Sequence, residues 1–482
     1  MVQTSNLPLV VDLDGTLTPT DTLLESLVRL LKRSPWSVLR LPLWLMRGRA
    51  GFKEAIASRV TLDAENIPYC TPLLEYLRAE KSRGREIVLA TAAHHTTAQG
   101  VARHLGIFDK VLSTHGGNNL KGRTKLQAIQ AQVGEAFVYA GDGSADLPIW
   151  KQAQAAILVG VAHRTAAQVR RAVPIEREYP KPASGMAVWL RALRVHQWIK
   201  NLLLFVPLLT TFEFTRMDKL ASMALAFAAF SLAASATYIV NDLWDLESDR
   251  AHPRKRLRPF ASGALPILQG LLVAGIALVL ALGLASAVSQ GFLGMLVTYL
   301  VLTSFYSWVI KEYVLMDVLM LSLLYTIRIL AGSVAIGAIT SSWLLAFSAF
   351  IFLSLALVKR CAELVSLKDA GAGATRGRDY RVSDLVVLWP LGVGAALCAV
   401  VVFGLFISAP ETQARYATPQ MLWFVAIGLV YWMARLWIKT SRGEMHDDPV
   451  VYALKNRGSR LTVLAMIAAA MAAHFFTWEL YP

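Results

Sequence analysis

Cysteine is nearly absent: Cys70, Cys361 and Cys398 are the only three in 482 residues. That is too few and too scattered for a disulfide framework or a paired metal motif, so they read as core or lipid-facing thiols. Acids are scarce as well, 33 against 48 Lys and Arg, which leaves a net charge of +15. No nucleic-acid motif accompanies the basic excess; no nucleic-acid partner is expected, and an anionic cytoplasmic membrane surface fits better. Internal repeats, low-complexity tracts and a secretory signal are missing too, because the polar first residues lead at once into the strand-like run "LPLVVDLDG". What is abundant is apolar surface: 55% of residues are hydrophobic and the mean hydropathy is +0.47, too high for a soluble protein of this size. It is unevenly spread. From Met1 to about Ala183 no run is long enough to span a bilayer, whereas beyond Trp189 apolar runs dominate.

A multidomain chain follows, an N-terminal α/β domain and then an all-α polytopic membrane domain. A span needs about 20 apolar residues to cross roughly 30 Å of hydrocarbon. Candidates are Leu202 to Thr211 with its flanks, Leu220 to Val240, Ala264 to Val288, Gly291 to Val309, Val318 to Ile339, Trp343 to Val358, Leu385 to Ser408, Met421 to Ile438 and Leu461 to Leu480. The sequence therefore predicts about nine helices. Bases gather in alternate loops, around Arg250 to Arg258, Lys359 to Arg381 (including Arg376) and Arg435 to Arg460. By the positive-inside rule these loops and the N-terminal domain face the cytoplasm, and an odd number of spans puts the C-terminus outside.

The stretch "YIVNDLWDLESDRAHPRKRLRP" leaves a hydrophobic helix through acids into bases. If the helix continues past Val240, Asn241, Asp245 and Asp249 share one face with Asp242 beside them. Unpaired, these carboxylates repel and raise each other's pKa. A Mg²⁺ ion would remove the conflict, since it takes a few carboxylates and completes its octahedron with water and substrate phosphates. The bland alternative is a solvated helix end whose acids pair with the following arginines.

"NDLWDLESD" resembles the signature of the UbiA superfamily, membrane transferases of nine helices whose aspartates hold Mg²⁺ against a diphosphate. Most members prenylate aromatic acceptors and carry a second aspartate-rich motif. This chain departs from that: Asp317 is followed at the i+4 position by Leu321, and the corresponding loop reads "KRCAEL" from Lys359. Together with "RVHQWIKN", "YSWVIK", "RGRDY" and "DDPVVYALKNRGSR", the departure is similar to the polyprenyl-phosphate phosphoribosyltransferases, whose substrates are phosphoribosyl pyrophosphate and a polyprenyl phosphate such as decaprenyl phosphate. The resemblance implies Mg²⁺ and pyrophosphate binding by Asn241, Asp242, Asp245 and Asp249. It offers Lys200, Lys255, Arg258, Lys311, Lys359, Arg360 and Arg378 for the phosphates. Glu363 either orients Lys359 or is a plain surface pair. Arg328, inside an apolar run, demands a partner, either Asp317 or a substrate phosphate.

In the N-terminal part, "LPLVVDLDGTLTPTD" places Asp12 and Asp14 at the C-end of a strand, the edge where α/β sheets bind ligands. "EIVLAT" ends in Thr91, Lys125 follows, and "AFVYAGDGSADLPIW" carries Asp142 and Asp146. The ordered set resembles the haloacid dehalogenase (HAD) phosphatases, a Rossmann-like fold with a small helical cap. The resemblance implies Asp12 as nucleophile, Asp14 as general acid and base, Thr91 and Lys125 as phosphoryl ligands with Lys121 a rival for Lys125, and Mg²⁺ among Asp12, Asp14, Asp142 and Asp146. His94, His95 and His115 lack ligand spacing. Residues 21–80 are the expected cap, whose Leu, Trp and Arg mixture suits either a packed core or a membrane interface.

The domains expected are 1–180 for the phosphatase, 181–198 for a linker and amphipathic lead-in, and 199–482 for the transferase. The combined reading is a bifunctional, Mg²⁺-dependent enzyme of a bacterial-type inner membrane. It makes 5-phosphoribosyl polyprenyl phosphate and removes the 5-phosphate, supplying a pentose donor for envelope glycans; the chain is compatible with a homo-oligomer. Two rivals stand beside it: an aromatic prenyltransferase with an unrelated phosphatase, and a membrane-anchored phosphatase whose helical half only binds lipid.

Overall fold

The computed structural model describes residues 6–115, 119–180, 185–369, 371, 378–445 and 448–477. Arg376 and Asp447, named above within two motifs, lie outside the described residues, as does the end of the last expected span at Leu480. Contacts divide the chain into two units. One is Met1–Leu193 with Tyr238–Gly275, and the other is Arg194–Thr237 with Ile276–Pro482.

Six parallel strands form the sheet of the first unit: β1 (Leu9–Val11), β2 (Ile87–His94), β3 (Lys110–Thr114), β4 (Val138–Gly141), β5 (Ala155–Val159) and β6 (Ile175–Tyr179). Their order is β3-β2-β1-β4-β5-β6, with Val11 opposite both Leu89 and Ala140. β1 and β5 are buried along their whole length, as expected of strands covered on both faces by helices. The order reverses between β1 and β4, the point where such sheets open a crevice beyond their carboxyl ends. Asp12 and Asp142 each follow directly on one of these two strands.

Between β1 and β2 the chain makes the cap. Asp21 caps helix Thr22–Arg33 by accepting from the Leu23 and Leu24 amides at 2.9 and 3.1 Å, and Ser34-Pro35 ends it, since proline disfavours helical geometry in the residue before it. The cap's apolar residues divide into a packed set and an exposed set. Leu30, Trp44, Phe52, Ala55, Ile56 and Val60 pack into a small core, whereas Trp36, Leu39 and Met46 are 80%, 73% and 84% exposed.

Among the described residues, eight helices are long and apolar enough to cross a membrane: Met217–Trp244, Ile267–Val288, Gln290–Trp308, Met316–Ile336, Ser342–Asp369, Val382–Ser408, Pro419–Ser441 and Arg457–Phe475. The first expected span is not one continuous α-helix. Residues Val195–Phe205 form a 3₁₀ helix and Val206–Thr210 a short α-helix with Pro207 in its first turn. The apolar run carries Pro207 and is preceded by the polar Lys200 and Asn201, neither of which a hydropathy average registers. Small residues let helices of the second unit approach closely: the Leu204 carbonyl lies against Gly332, where any Cβ would collide with it.

Candidate active sites

The Asp12 site grows out of sheet geometry. Gly15 turns the chain after β1 at φ +79°, and a side chain there would meet the Asp142 carboxylate, so glycine lets the two strand ends close up. Asp12 is buried; one carboxylate oxygen accepts the Leu13 amide at 2.8 Å and the other lies 2.8 Å from Lys125 Nζ. Lys125 also donates to Tyr139 Oη at 3.1 Å and lies 3.7 Å from Asp146. The Tyr139 hydroxyl donates to Asp146 at 2.9 Å. Two carboxylates therefore share one buried cation. Asp12, Asp142 and Asp146 each offer an oxygen within 4.8 Å of the others, and oxygen donors gathered so closely around a charge deficit fit a hard divalent cation.

Burial dominates the ionisation of this cluster. It raises Asp12 against the pull of Lys125, and with repulsion from Asp146 and Asp12 it pushes Asp142 up to about 7. Asp14, which accepts the Thr22 amide at 2.9 Å at a helix N-terminus, is pushed up to about 7 by burial and then by Asp21. A carboxyl titrating near neutrality suits a group that must both give and take a proton. Burial opposes the charge on Lys125, but Asp12 and Asp146 outweigh it and the ammonium is held.

A cavity of about 630 Å³ opens over Asp12 and Asp14. Of the two lysines weighed above, Lys125 is buried against Asp12 while Lys121 lies on the cavity's rim. Thr91 is fully buried within β2, accepting the Ala93 amide at 3.0 Å; Ala92, Ala93 and His94 line the cavity in its stead. Cap helix Gly48–Ala57 closes on the sheet through Lys53, which donates to the Ala92 carbonyl at 2.5 Å and Asn119 at 2.8 Å, and through Glu54 and His94 at 2.7 Å. His95 and His115 contact each other at 3.2 Å. Sequence reasoning missed Tyr139 and Lys53. Tyr139 sits in the quoted "FVYAGD", three residues before Asp142.

The aspartate-rich helix end belongs to this same unit. Helix Met217–Trp244 breaks at Asp245 and resumes as Leu246–Ala251, yet the i+4 backbone bonds from Asp245 to Asn241 and from Asp249 to Asp245 persist at 2.9 and 2.8 Å. Arg258 reaches back to Asp242 at 3.2 Å and Asp249 at 2.6 Å, both buried. It neutralises two carboxylates of the signature. Among the described residues only the Asp12 trio meets the spacing for a shared ion, so the signature has the donor types for a cation but not, with Arg258 between them, its convergence. Lys255 is exposed.

Arg250, next to Asp249, points the other way. Its guanidinium donates to both oxygens of cap residue Glu25 at 2.6 and 2.7 Å and to the Ala261 carbonyl at 3.0 Å, while the Thr20 hydroxyl donates to Glu25 at 2.6 Å. Both partners are nearly buried, and Arg29 pairs with Glu247 at 3.1 Å beside them. The cap helix and the signature loop are thus latched together, with Glu25 three residues from the Thr22 amide that holds Asp14.

In the second unit Asp448 gathers the cations: Lys200 at 2.8 Å, Lys359 at 3.5 Å and the Tyr325 hydroxyl at 3.4 Å. Other expected contacts fall elsewhere. Arg360 is fully buried, paired with Asp317 at 2.6 Å and with Glu363, which makes it a structural group and not an open phosphate ligand. Tyr380 donates to Asp317 at 2.5 Å and accepts the Leu315 amide at 2.9 Å. Glu363 also takes Arg378 at 3.0 Å, so it does not orient Lys359. Arg328 finds neither Asp317 nor an open face; it donates to Asn201 at 3.1 Å, Tyr299 at 3.0 Å and the Leu324 carbonyl. Lys311 lies in a short 3₁₀ turn, half-buried.

A sheet with carboxylates at its switch point, joined to a bundle of membrane-length helices with an aspartate-rich helix end, defines an integral membrane enzyme carrying a hydrolase domain. The UbiA prenyltransferase family matches residues 204–456 and haloacid dehalogenase-like hydrolase matches residues 9–151. The chain belongs to the UbiA prenyltransferase family, with the hydrolase domain fused N-terminal to it. It is 38% identical over 96% of its length to an uncharacterized protein, y4nM, of Sinorhizobium fredii, covering 90% of that protein. Nodulation protein NoeC of Azorhizobium caulinodans is 36% identical over 58% of this chain and 90% of its own. The decaprenyl-phosphate phosphoribosyltransferase of Mycolicibacterium smegmatis is 32% identical over 61% of this chain and 95% of its own.

Proposed function

We propose that the helical half transfers 5-phosphoribose from phosphoribosyl pyrophosphate to a polyprenyl phosphate, and that the hydrolase half removes the 5-phosphate to leave polyprenyl-phosphoryl-ribose. The observation that carries this reading is the fate of Asp317. An aromatic prenyltransferase needs a second acidic site for its diphosphate, but here the nearest candidate is sealed by Arg360 and Tyr380. The helical half offers cations in place of a second acidic motif. The 32% identity to a phosphoribosyltransferase along the same stretch supports the choice.

In the transfer step the bond from ribose C1 to pyrophosphate breaks as an oxygen of the lipid phosphate bonds to C1. That oxygen is already anionic, so no strong base is required. Pyrophosphate draws Arg258 from Asp242 and Asp249, and its developing charge is met by that guanidinium. Lys200 and Lys359 hold the lipid phosphate once it displaces Asp448 as their counterion.

In the hydrolytic step Asp12 attacks the 5-phosphate, and Asp14 protonates the departing ribose oxygen and then takes a proton from the water that cleaves the aspartyl phosphate. Lys125 orients Asp12 and balances the phosphoryl oxygens. Mg²⁺, held by Asp12, Asp142 and Asp146, would neutralise charge on the phosphoryl group. Fusion makes the second step local to the product of the first. We place the hydrolase and the basic loops on the cytoplasmic side and the C-terminus outside. Residues 195–210 then cross as well, since 3₁₀ geometry at about 2.0 Å per residue followed by a short α-helix at about 1.5 Å spans roughly 30 Å.

The test is pyrophosphate release by the purified protein given phosphoribosyl pyrophosphate and a polyprenyl phosphate. Asp245→Asn should stop it while leaving phosphomonoester hydrolysis in place. Turnover only with a prenyl diphosphate and an aromatic acid refutes the proposal, and an Asp245→Asn protein that behaves as wild type favours a helical half that merely binds lipid.

A further inference from the structure

The cavity over Asp12 holds more positive charge than phosphoryl transfer uses. Lys125 is committed to Asp12 and Asp146. Across the cavity, Arg49 and Lys53 of the cap helix and Lys121 of the opposing rim line the same space. Lys53 is held by two neutral acceptors, the Ala92 carbonyl and Asn119, which fix the ammonium without neutralising it. Among the described residues none of the three cations forms an ion pair with a carboxylate. Burial lowers the Lys53 pKa, and Lys121 and Arg49 lower it further against the pull of Asp14 and Asp21. Asp14 and Asp21 line the cavity too, but none of the three cations is bridged to them, which leaves all three able to take an entering anion.

The cap also supplies apolar lining: Phe52 and Ile56 stand on the same helix as Arg49 and Lys53, with Leu45 just before it, and Leu45 is also 57% exposed, as its chain neighbours Leu43 and Met46 are exposed. A volume of about 630 Å³ exceeds what one phosphate fills and admits a sugar with a second charged group.

We propose that Arg49, Lys53 and Lys121 form a second anion subsite, which selects a phosphomonoester carrying a phosphodiester one pentose ring away, the apolar lining receiving the first isoprene units beyond it. This rests on the reading that the hydrolase acts on a lipid-linked ribose phosphate, and it assigns to the cap the recognition of the linkage itself. The monoester enters over Asp12, the diester meets the three cations, and the chain leaves past Leu45.

The experiment measures kcat/KM for release of the 5-phosphate by the full-length protein with Mg²⁺. Its substrates are ribose 5-phosphate, ribose 5-phosphate bearing a methyl phosphodiester at C1, and the same compound with a short prenyl phosphodiester. A charge-assisted contact contributes about 1.5–3 kcal/mol, so the wild type should prefer both diesters over ribose 5-phosphate by at least about tenfold. Lys53→Met, and separately the double variant Arg49→Ala with Lys121→Ala, should each cut that ratio by about tenfold. A ratio is immune to a simple loss of folded enzyme, and the double variant removes only exposed side chains. Equal rates on all three substrates, or ratios unchanged in both variants, would overturn the subsite while leaving lipid hydrolysis intact. Preference for the methyl diester with no turnover of the prenyl one keeps the subsite but overturns its lipid ligand.

Discussion

Replacing Arg250 with Met tests the latch between the cap and the signature loop. The wild-type guanidinium makes two bonds to Glu25, of 2.6 and 2.7 Å, in a nearly buried setting. Two unit charges centred about 4 Å apart attract by about 4 kcal/mol at an effective dielectric of 20. Desolvation offsets much of that in the intact pair, but truncating one partner leaves the other charge buried and costs about 3–5 kcal/mol. Thr20 still donates one hydrogen bond to Glu25, so the lower end is expected. Hydrogen exchange reads this directly: 3 kcal/mol is about a hundredfold faster opening at 1.4 kcal/mol per decade. Amides of residues 20–26 and 246–262 should accelerate together, and phosphatase kcat should fall because the Thr22 amide that holds Asp14 lies in the first of these segments. Arg250→Met combined with Glu25→Gln should recover most of the protection, since no charge is then left buried. Unchanged exchange in the single variant, or acceleration in only one segment, refutes the latch.

Three further outcomes are expected. Lys125→Met leaves Asp12 and Asp146 without their cation, and metal-free protein should lose about 3–5 kcal/mol of domain stability in denaturant, much of it restored by Mg²⁺. For pH, Asp142 is raised from 3.8 to about 7; its contribution to metal-free stability is fully present below the unfolded value and is lost as pH rises through about 7, while Mg²⁺ binding must displace that proton. The melting temperature of metal-free protein should therefore fall, and the gain on adding Mg²⁺ grow, from about pH 4 to about pH 7, and a flat response contradicts the assigned ligands. Arg360→Met should destabilise the helical half by leaving Asp317 buried and unpaired. Adding Asp317→Asn should restore both folding and transfer to within several-fold, whereas a well-folded but inactive double variant would make Arg360 a phosphate ligand after all.

Local chemistry was legible before the structure, and long-range partnership was not. Asp12, Asp14 and Asp142 could be found because a strand has a defined end and the sheet has a defined functional edge. The aspartate signature could be found because it repeats at helical spacing. Nothing local to Arg360 distinguishes it from Lys359 one position earlier, yet one is sealed against Asp317, 43 residues away in sequence, and the other reaches Asp448. Arg258 read as a phosphate ligand and sits between two signature acids, because a single sequence gives no account of which opposite charge is nearest. Glu25 and Lys53 drew no attention, and Arg250 only as one base of a charged loop, for the same reason. The helix type of the first expected span was illegible on a different count, since hydropathy averages over a window and cannot tell a 3₁₀ segment with an early proline from a continuous helix.

The central claim is that one chain attaches phosphoribose to a lipid phosphate and then strips the 5-phosphate. Mass spectrometry of lipids formed from phosphoribosyl pyrophosphate and a polyprenyl phosphate tests it most directly, with wild type beside Asp12→Asn. The account predicts polyprenyl-phosphoryl-ribose from the wild type, and from the variant a lipid heavier by one phosphate. Identical lipid products from both proteins, or no ribosylated lipid from either, would contradict it.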